Sequence, residues 1–214
     1  MLALPMSHPT LHFILGGTRS GKSTHAERLA ASLVAASLAQ GADGVLYVAT
    51  AEPFDDGMKE RIARHQKMRP ACWETLEAPL NVGAAICARQ AQQAKPVVLI
   101  ECMTLLACNA IFRQPDAVTS TAFEAVLDRE VDAILEAFAA GNAHFIVVSS
   151  ETNLGGIHAT HMARVYGDAL GRANQKLAAA ASRVTFMVAG IPMQIKDTGR
   201  AGLRPANRAK LDPG

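Results

Sequence analysis

The stretch Gly16-Gly17-Thr18-Arg19-Ser20-Gly21-Lys22-Ser23 decides the fold. It follows an apolar run, Leu11 to Leu15, and opens onto a helical pattern beginning Lys22-Ser23-Thr24-His25-Ala26-Glu27. Strand, glycine-rich turn and helix in that order are the context in which G-x-x-x-x-G-K-[ST] signifies a phosphate-binding loop. Glycines let backbone amides curl around phosphate oxygens, and the helix N-terminus adds partial positive charge. In such a loop Lys22 reaches the terminal phosphates of a nucleoside triphosphate and the Ser23 hydroxyl holds Mg²⁺.

Outward from the loop, strands and helices alternate. The spacing of Ala26, Leu29, Ala30, Leu33, Val34 and Leu38 is helical, with Gly41 as a natural stop. Strands are expected at Val45 to Thr50, Trp73 to Leu76, Val97 to Glu101, His144 to Ser150 and Val184 to Ala189, with a short last strand at Met193 to Lys196. Helices are expected from Asp55 to Lys67, from Pro79 (in the first turn) to about Ala94, from Met103 to Phe112, from Thr121 to Ala140 and from His161 to Ser182. Arg113 to Ser120, with Pro115, reads as a polar loop. The apolar runs lack strict alternation, which fits strands buried on both faces of a mainly parallel sheet. The fold class is therefore α/β of the P-loop NTPase (RecA-like) type, as one domain over residues 11–196. Residues 1–10 read as an extension, and residues 197–214 as a flexible tail without apolar period. Ligands in such sheets bind beyond the carboxyl ends of the strands, here Gly16 to Ser23, Thr50-Ala51, Glu101 and Ser149 to Asn153.

Composition narrows the partners. The 214 residues carry 21 basic and 19 acidic side chains, a formal charge of +2, so no nucleic-acid partner is indicated. Aromatics are 5% of the chain, too few for base-stacking platforms. Cys72, Cys87, Cys102 and Cys108 show no metal-ligand spacing and are expected as reduced, mostly buried thiols. With no secretory signal and no apolar run near the ~18 residues of a membrane span, a soluble cytoplasmic protein is expected.

Two residues stand out for chemistry. Glu101 ends an apolar strand where P-loop proteins place a carboxylate near Mg²⁺. On the helix from Asp55 to Lys67, Met58 and Ile62 are spaced i, i+4, and His65 continues the same inward stripe. Arg61 and Arg64 flank that stripe and Arg69 follows it. Cationic neighbours disfavour protonation of the ring, which leaves a neutral imidazole with a nucleophilic lone pair. Helix geometry alone leaves both a packing histidine and a nucleophile open.

Beyond these features, GGTRSGKSTHAE (16–27), LYVATAEPFDDGMKERIARHQKMRPACWETLEAP (46–79), VLIECMT (98–104) and GRANQKLAAAASRVTFMVAGIP (171–192) occur together in one order. They resemble the bifunctional adenosylcobinamide kinase / adenosylcobinamide-phosphate guanylyltransferase family of cobalamin biosynthesis. The resemblance covers about residues 11 to 196, and its most specific part is RIxxHxxxRP, Arg61 to Pro70, after YxAT, Tyr47 to Thr50. It implies two reactions: phosphorylation of adenosylcobinamide by ATP or GTP, then GMP transfer from GTP through a guanylylated histidine, which falls on His65. It also implies that Ala49, Thr50 and Ala51 line the nucleotide site, and that Glu77 and Glu101 match acids of the GTP site. Arg69 falls where a phosphate or guanine contact is expected, and a homotrimer with sites at subunit interfaces is implied.

The chain departs from the family pattern at Ser150 to His158, where NEVGxGIVP is common, and at Tyr166-Gly167-Asp168, where the middle residue is commonly arginine. That region is expected to face the corrinoid or a neighbouring subunit. Two other readings remain: a P-loop small-molecule kinase with a structural His65, and a nucleotide-dependent switch or binding module. The switch reading lacks an N-K-x-D guanine signature.

Overall fold

The computed structural model describes residues 8–38, 44–113, 120–152, 154–156 and 159–198. The expectations for residues 1–7, Gly41, residues 114–119 with Pro115, Asn153, Ile157, His158, the Arg61 side chain and the tail from 199 onward fall outside the described residues.

The phosphate-loop signature is bracketed as expected by β1 (Leu11–Gly16) and α1 (Lys22–Leu38). There follow β2 (Val45–Ala49), α2 (Asp56–Met68), β3 (Glu74–Glu77), α3 (Val82–Gln92), β4 (Val97–Glu101) and α4 (Met103–Phe112). The chain continues as α5 (Ser120–Ala140), β5 (His144–Val148), α6 (His161–Ala180), β6 (Arg183–Val188) and β7 (Ile191–Asp197). The seven strands form one sheet in the order β3-β2-β4-β5-β1-β6-β7. Every pairing is parallel except β6 with β7.

Side chains alternate across this sheet and build two cores. Leu11, Phe13, Val98, Ile100, Phe145 and Val147 pack with α3, α4, α5 and α6. Ile14, Tyr47, Val97, Leu99, Ile146 and Val148 pack with Ala26, Ala30 and Leu33 of α1 on the other face. The same alternation puts Glu101, two residues after Leu99, on the α1 side, where the helix after the loop begins.

Three expectations are corrected. Pro79 precedes α3 rather than opening it, because Asn81 takes a left-handed conformation (φ 55°) that starts the helix only at Val82. Asn81 makes no side-chain cap; Glu130 of α5 instead accepts from Asn81 N (2.6 Å) and Val82 N (3.1 Å), capping α3 from a neighbouring helix. The last strand is longer than expected: the turn lies at Ala189-Gly190, so Ile191 and Pro192 already pair with β6 and the ladder runs to Asp197. The thiols are not mostly buried. Cys72 lies exposed in the turn after α2, and Cys87 is exposed on α3 while its neighbour Ile86 takes the core position.

Candidate active site

The loop between β1 and α1 is held by its neighbours. Gly16 has φ 155° and sits so close to β6 that a Cβ would come within 2.5 Å of Met187 O. Gly21 (φ 91°) packs against Gly190 of the β6–β7 turn, and Gly190 N donates to Ser20 O (3.0 Å). Glu151 N donates to Gly16 O at 3.2 Å, and Arg19 accepts a left-handed φ of 57°. Within the loop, Lys22 Nζ donates to Gly17 O (2.6 Å). Ser20 Oγ is buried without a hydrogen-bond partner among the described residues.

Ser23 Oγ donates to Glu101 Oε1 at 2.5 Å, joining the loop to the end of β4. Glu101 also lines a cleft on the α1 side of the sheet. The cleft contains Ala49, Ala51, His65, Arg69, Glu77 and Glu101 from the sequence-derived set, and Met58 and Ile62 of the same stripe as His65. The row Glu77–Ala49–Glu101 crosses β3, β2 and β4 in register, so the two carboxylates stand two strand spacings apart, about 10 Å. The stripe does face inward, and α2 starts where its N-cap Asp55 accepts from Met58 N at 2.7 Å.

Thr50 is placed elsewhere. It is fully buried, its hydroxyl accepts from Cys102 N (2.7 Å) and donates to Cys102 O (2.8 Å), and its carbonyl accepts from Asn109 Nδ2 (2.7 Å). It ties β2 to β4 and α4 instead of lining the cleft. Alternation explains why: Tyr47, Ala49 and Ala51 share one side and Val48 and Thr50 the other. That period also marks Tyr47 as a cleft residue, which the motif reading passed over. Gln66, Cys102 and Leu105 join the lining too. Gln66 follows His65 directly, whereas Cys102 and Leu105 carried no signal before the β4–β2 pairing was known.

Arg69 lies with its guanidinium carbon 3.7 Å from the centre of the Tyr47 ring, and its Nη1 donates to Thr75 Oγ1 (3.3 Å). Its Nε is buried without a hydrogen-bond partner among the described residues. Burial, then the Glu101 carboxylate, pushes the Tyr47 phenol up, with Arg69 opposing. The same two causes push the Cys102 thiol up to about 11, so this cleft cysteine stays protonated at neutral pH and is a poor nucleophile. His65 brings an imidazole ring to the wall of the same cleft.

In the region that departs from the family pattern, Tyr166 turns inward and donates to Thr104 O (2.9 Å). Asn174 joins the end of β5, accepting from Ser149 Oγ (2.7 Å) and donating to Ser150 O (3.1 Å).

Comparison with known proteins places the chain in a family. The family model described as cobinamide kinase / cobinamide phosphate guanyltransferase matches residues 12–195. The chain belongs to this family. It is 40% identical over 184 residues to the bifunctional adenosylcobalamin biosynthesis protein CobP of Pseudomonas aeruginosa, covering 86% of this chain and 95% of that protein. It is 35% identical over 188 residues to the bifunctional adenosylcobalamin biosynthesis protein CobU of Salmonella typhimurium, covering 86% and 98% respectively. The P-loop type of fold expected from the sequence is the fold of this family. Among the described residues no helix is long and apolar enough to cross a membrane.

Proposed function

We propose that this chain performs both family reactions at one site: phosphorylation of adenosylcobinamide by ATP or GTP, and GMP transfer from GTP to adenosylcobinamide phosphate. The observation that carries the reading is the Ser23–Glu101 bond, because Glu101 is bonded to the loop and also lines the cleft holding His65. A triphosphate cradled by residues 16–23 would thus present its γ-phosphate to the loop and its α-phosphate toward the cleft. Ser20 Oγ and Arg69 Nε, buried and without a hydrogen-bond partner among the described residues, fit polar contacts to such a ligand.

In the first reaction the substrate hydroxyl attacks the γ-phosphorus and the nucleoside diphosphate leaves, with Lys22 stabilising charge on the phosphates. In the second, a ring nitrogen of His65 forms a bond to the α-phosphorus as the bond to the bridging oxygen breaks and pyrophosphate leaves. A phosphate oxygen of adenosylcobinamide phosphate then displaces the histidine, forming the pyrophosphate linkage and freeing the ring. Arg69, held over Tyr47, supplies a fixed cation beside the transferred group, and Glu77 is positioned as an acceptor for the nucleotide's donors. Ser23 and Glu101 are hard oxygen donors of the kind Mg²⁺ takes alongside phosphates and water. The ion would neutralise charge on the phosphate oxygens. A cytoplasmic homotrimer completes the reading, on family resemblance.

The test is incubation with Mg²⁺ and GTP labelled at the α-phosphate, followed by denaturation. Acid-labile, base-stable label on the wild type and none on His65→Ala, with the variant's circular dichroism retained, is the expected result. No label on wild type would defeat the guanylyl-enzyme reading, and kinase activity alone would favour a simple kinase.

A further inference from the structure

Phe54 and Phe112 form an exposed aromatic pair beside the cleft. Their ring centres are 5.3 Å apart with planes tilted by 56°, yet Phe54 is 50% and Phe112 64% exposed. Both belong to segments anchored at the site. Phe54 lies three residues beyond Ala51, a wall of the cleft, so the two Cα atoms are within about 11 Å. Phe112 closes α4, whose Leu105 lines the same cleft; seven residues of helix separate them by about 10 Å.

The pair is held in place. Asn109, three residues before Phe112, donates to Thr50 O (2.7 Å) and to Pro79 O (2.9 Å). Next to the rings, Arg113 pairs with Glu52 at 2.5 Å and clasps the two segments together. These are therefore two apolar rings fixed in water at the rim of a polar site. The phosphates have their own cradle in residues 16–23, and two of the cleft's polar groups, Arg69 and Glu77, belong to β3 and the turn before it.

The acceptor substrate differs in chemistry from the nucleotide. Cobinamide carries its reacting hydroxyl on a short arm of a broad macrocycle with an apolar, conjugated face and amide groups at its edge. Such a face calls for aromatic contact, and such an edge for hydrogen-bonding partners. We infer that Phe54 and Phe112 form the shelf on which the corrin macrocycle rests, with Glu52 and Arg113 meeting its peripheral amides and the arm passing over Ala51 into the cleft. The inference rests on the proposed function and adds the residues that choose the acceptor.

Equilibrium dialysis with adenosylcobinamide, read by its visible absorption, tests the shelf in wild type, Phe54→Ser, Phe112→Ser and the double variant. Each ring removed is expected to weaken binding about tenfold, equivalent to about 1.4 kcal/mol. The melting temperature should hold, since both rings are exposed, and Phe112→Trp should bind as wild type does. A double variant with the wild-type dissociation constant overturns the shelf while leaving the proposed function intact. A double variant that changes oligomeric state in sedimentation, with corrinoid affinity unchanged, overturns it in favour of a contact between copies. Wild type that fails to bind adenosylcobinamide overturns the proposed function, and the shelf with it.

Discussion

At the scale of single residues, Glu101 is the side chain on which both proposed reactions depend. Glu101→Gln keeps an acceptor for Ser23 Oγ but removes the charge. Both activities are expected to fall on the order of 10²-fold, with a higher Mg²⁺ concentration needed for half-maximal rate. A Mg²⁺ titration of the variant checks this, and an unchanged requirement would remove Glu101 from the metal role. Cys102 gives a second expectation. Its thiol is pushed up to about 11 while Cys72 and Cys87 are exposed, so an alkylating reagent at neutral pH should modify those two first. Peptide mapping by mass spectrometry reads the order, and early loss of Cys102 would contradict its raised pKa. His65 and Glu101 were legible in the sequence because each sits at the end of a local pattern, a helical stripe or a strand. Thr50 stands off the cleft that Ala49 and Ala51 line, because a strand sends alternate side chains to opposite faces, a period that three consecutive motif residues do not display.

Between elements, α3 and α5 approach without room for a side chain. A Cβ on Gly83 would come within 2.3 Å of the Ala133 carbonyl, a backbone atom that cannot turn aside. Gly83→Ala should cost about 2–3 kcal/mol in denaturant unfolding by forcing the helices apart. Full stability in that variant would mean that the crossing relaxes freely. Glu130 adds a polar tie at the same crossing, and its carboxylate replaces the missing side-chain cap of α3. Neither device was visible beforehand, since Gly83 and Glu130 look like an ordinary helical glycine and a surface acid. The α3 start was misplaced for the same reason: Pro79 obeys a local rule for a first turn, but the left-handed Asn81 and its distant partner set the boundary.

For the whole molecule, a polar cluster beneath the sheet ties stability to pH. Thr10 Oγ1 lies 3.0 Å from His12 Nε2 and 2.8 Å from His144 Nδ1. Burial, then Arg183, then His144 lower His12 to about 4, against opposition from Asp197; burial also lowers His144. A histidine lowered on folding contributes its full stability above the unfolded value near 6.5, and that contribution is lost as pH falls toward 4. His12 alone should therefore cost about 2 kcal/mol at pH 5 relative to pH 7.5. Urea midpoints at the two pH values, for wild type and His12→Gln, provide the comparison; an equal loss in the variant would assign the acid sensitivity elsewhere.

The sequence by itself determined the phosphate loop, the alternation of strands and helices, the inward stripe of α2 and the family. Each of these is written in residues adjacent along the chain or one helical or strand period apart, so local geometry suffices to read them. Tertiary structure alone decided that β4 lies between β2 and β5, which brings Glu101 to Ser23 across 78 positions of sequence. It also decided that the β6–β7 turn braces the loop, that Arg69 lies on Tyr47, and that Phe54 meets Phe112. Strand order and helix crossings arise from the packing of two buried faces at once, and no local period in the sequence records which distant partner that packing selects.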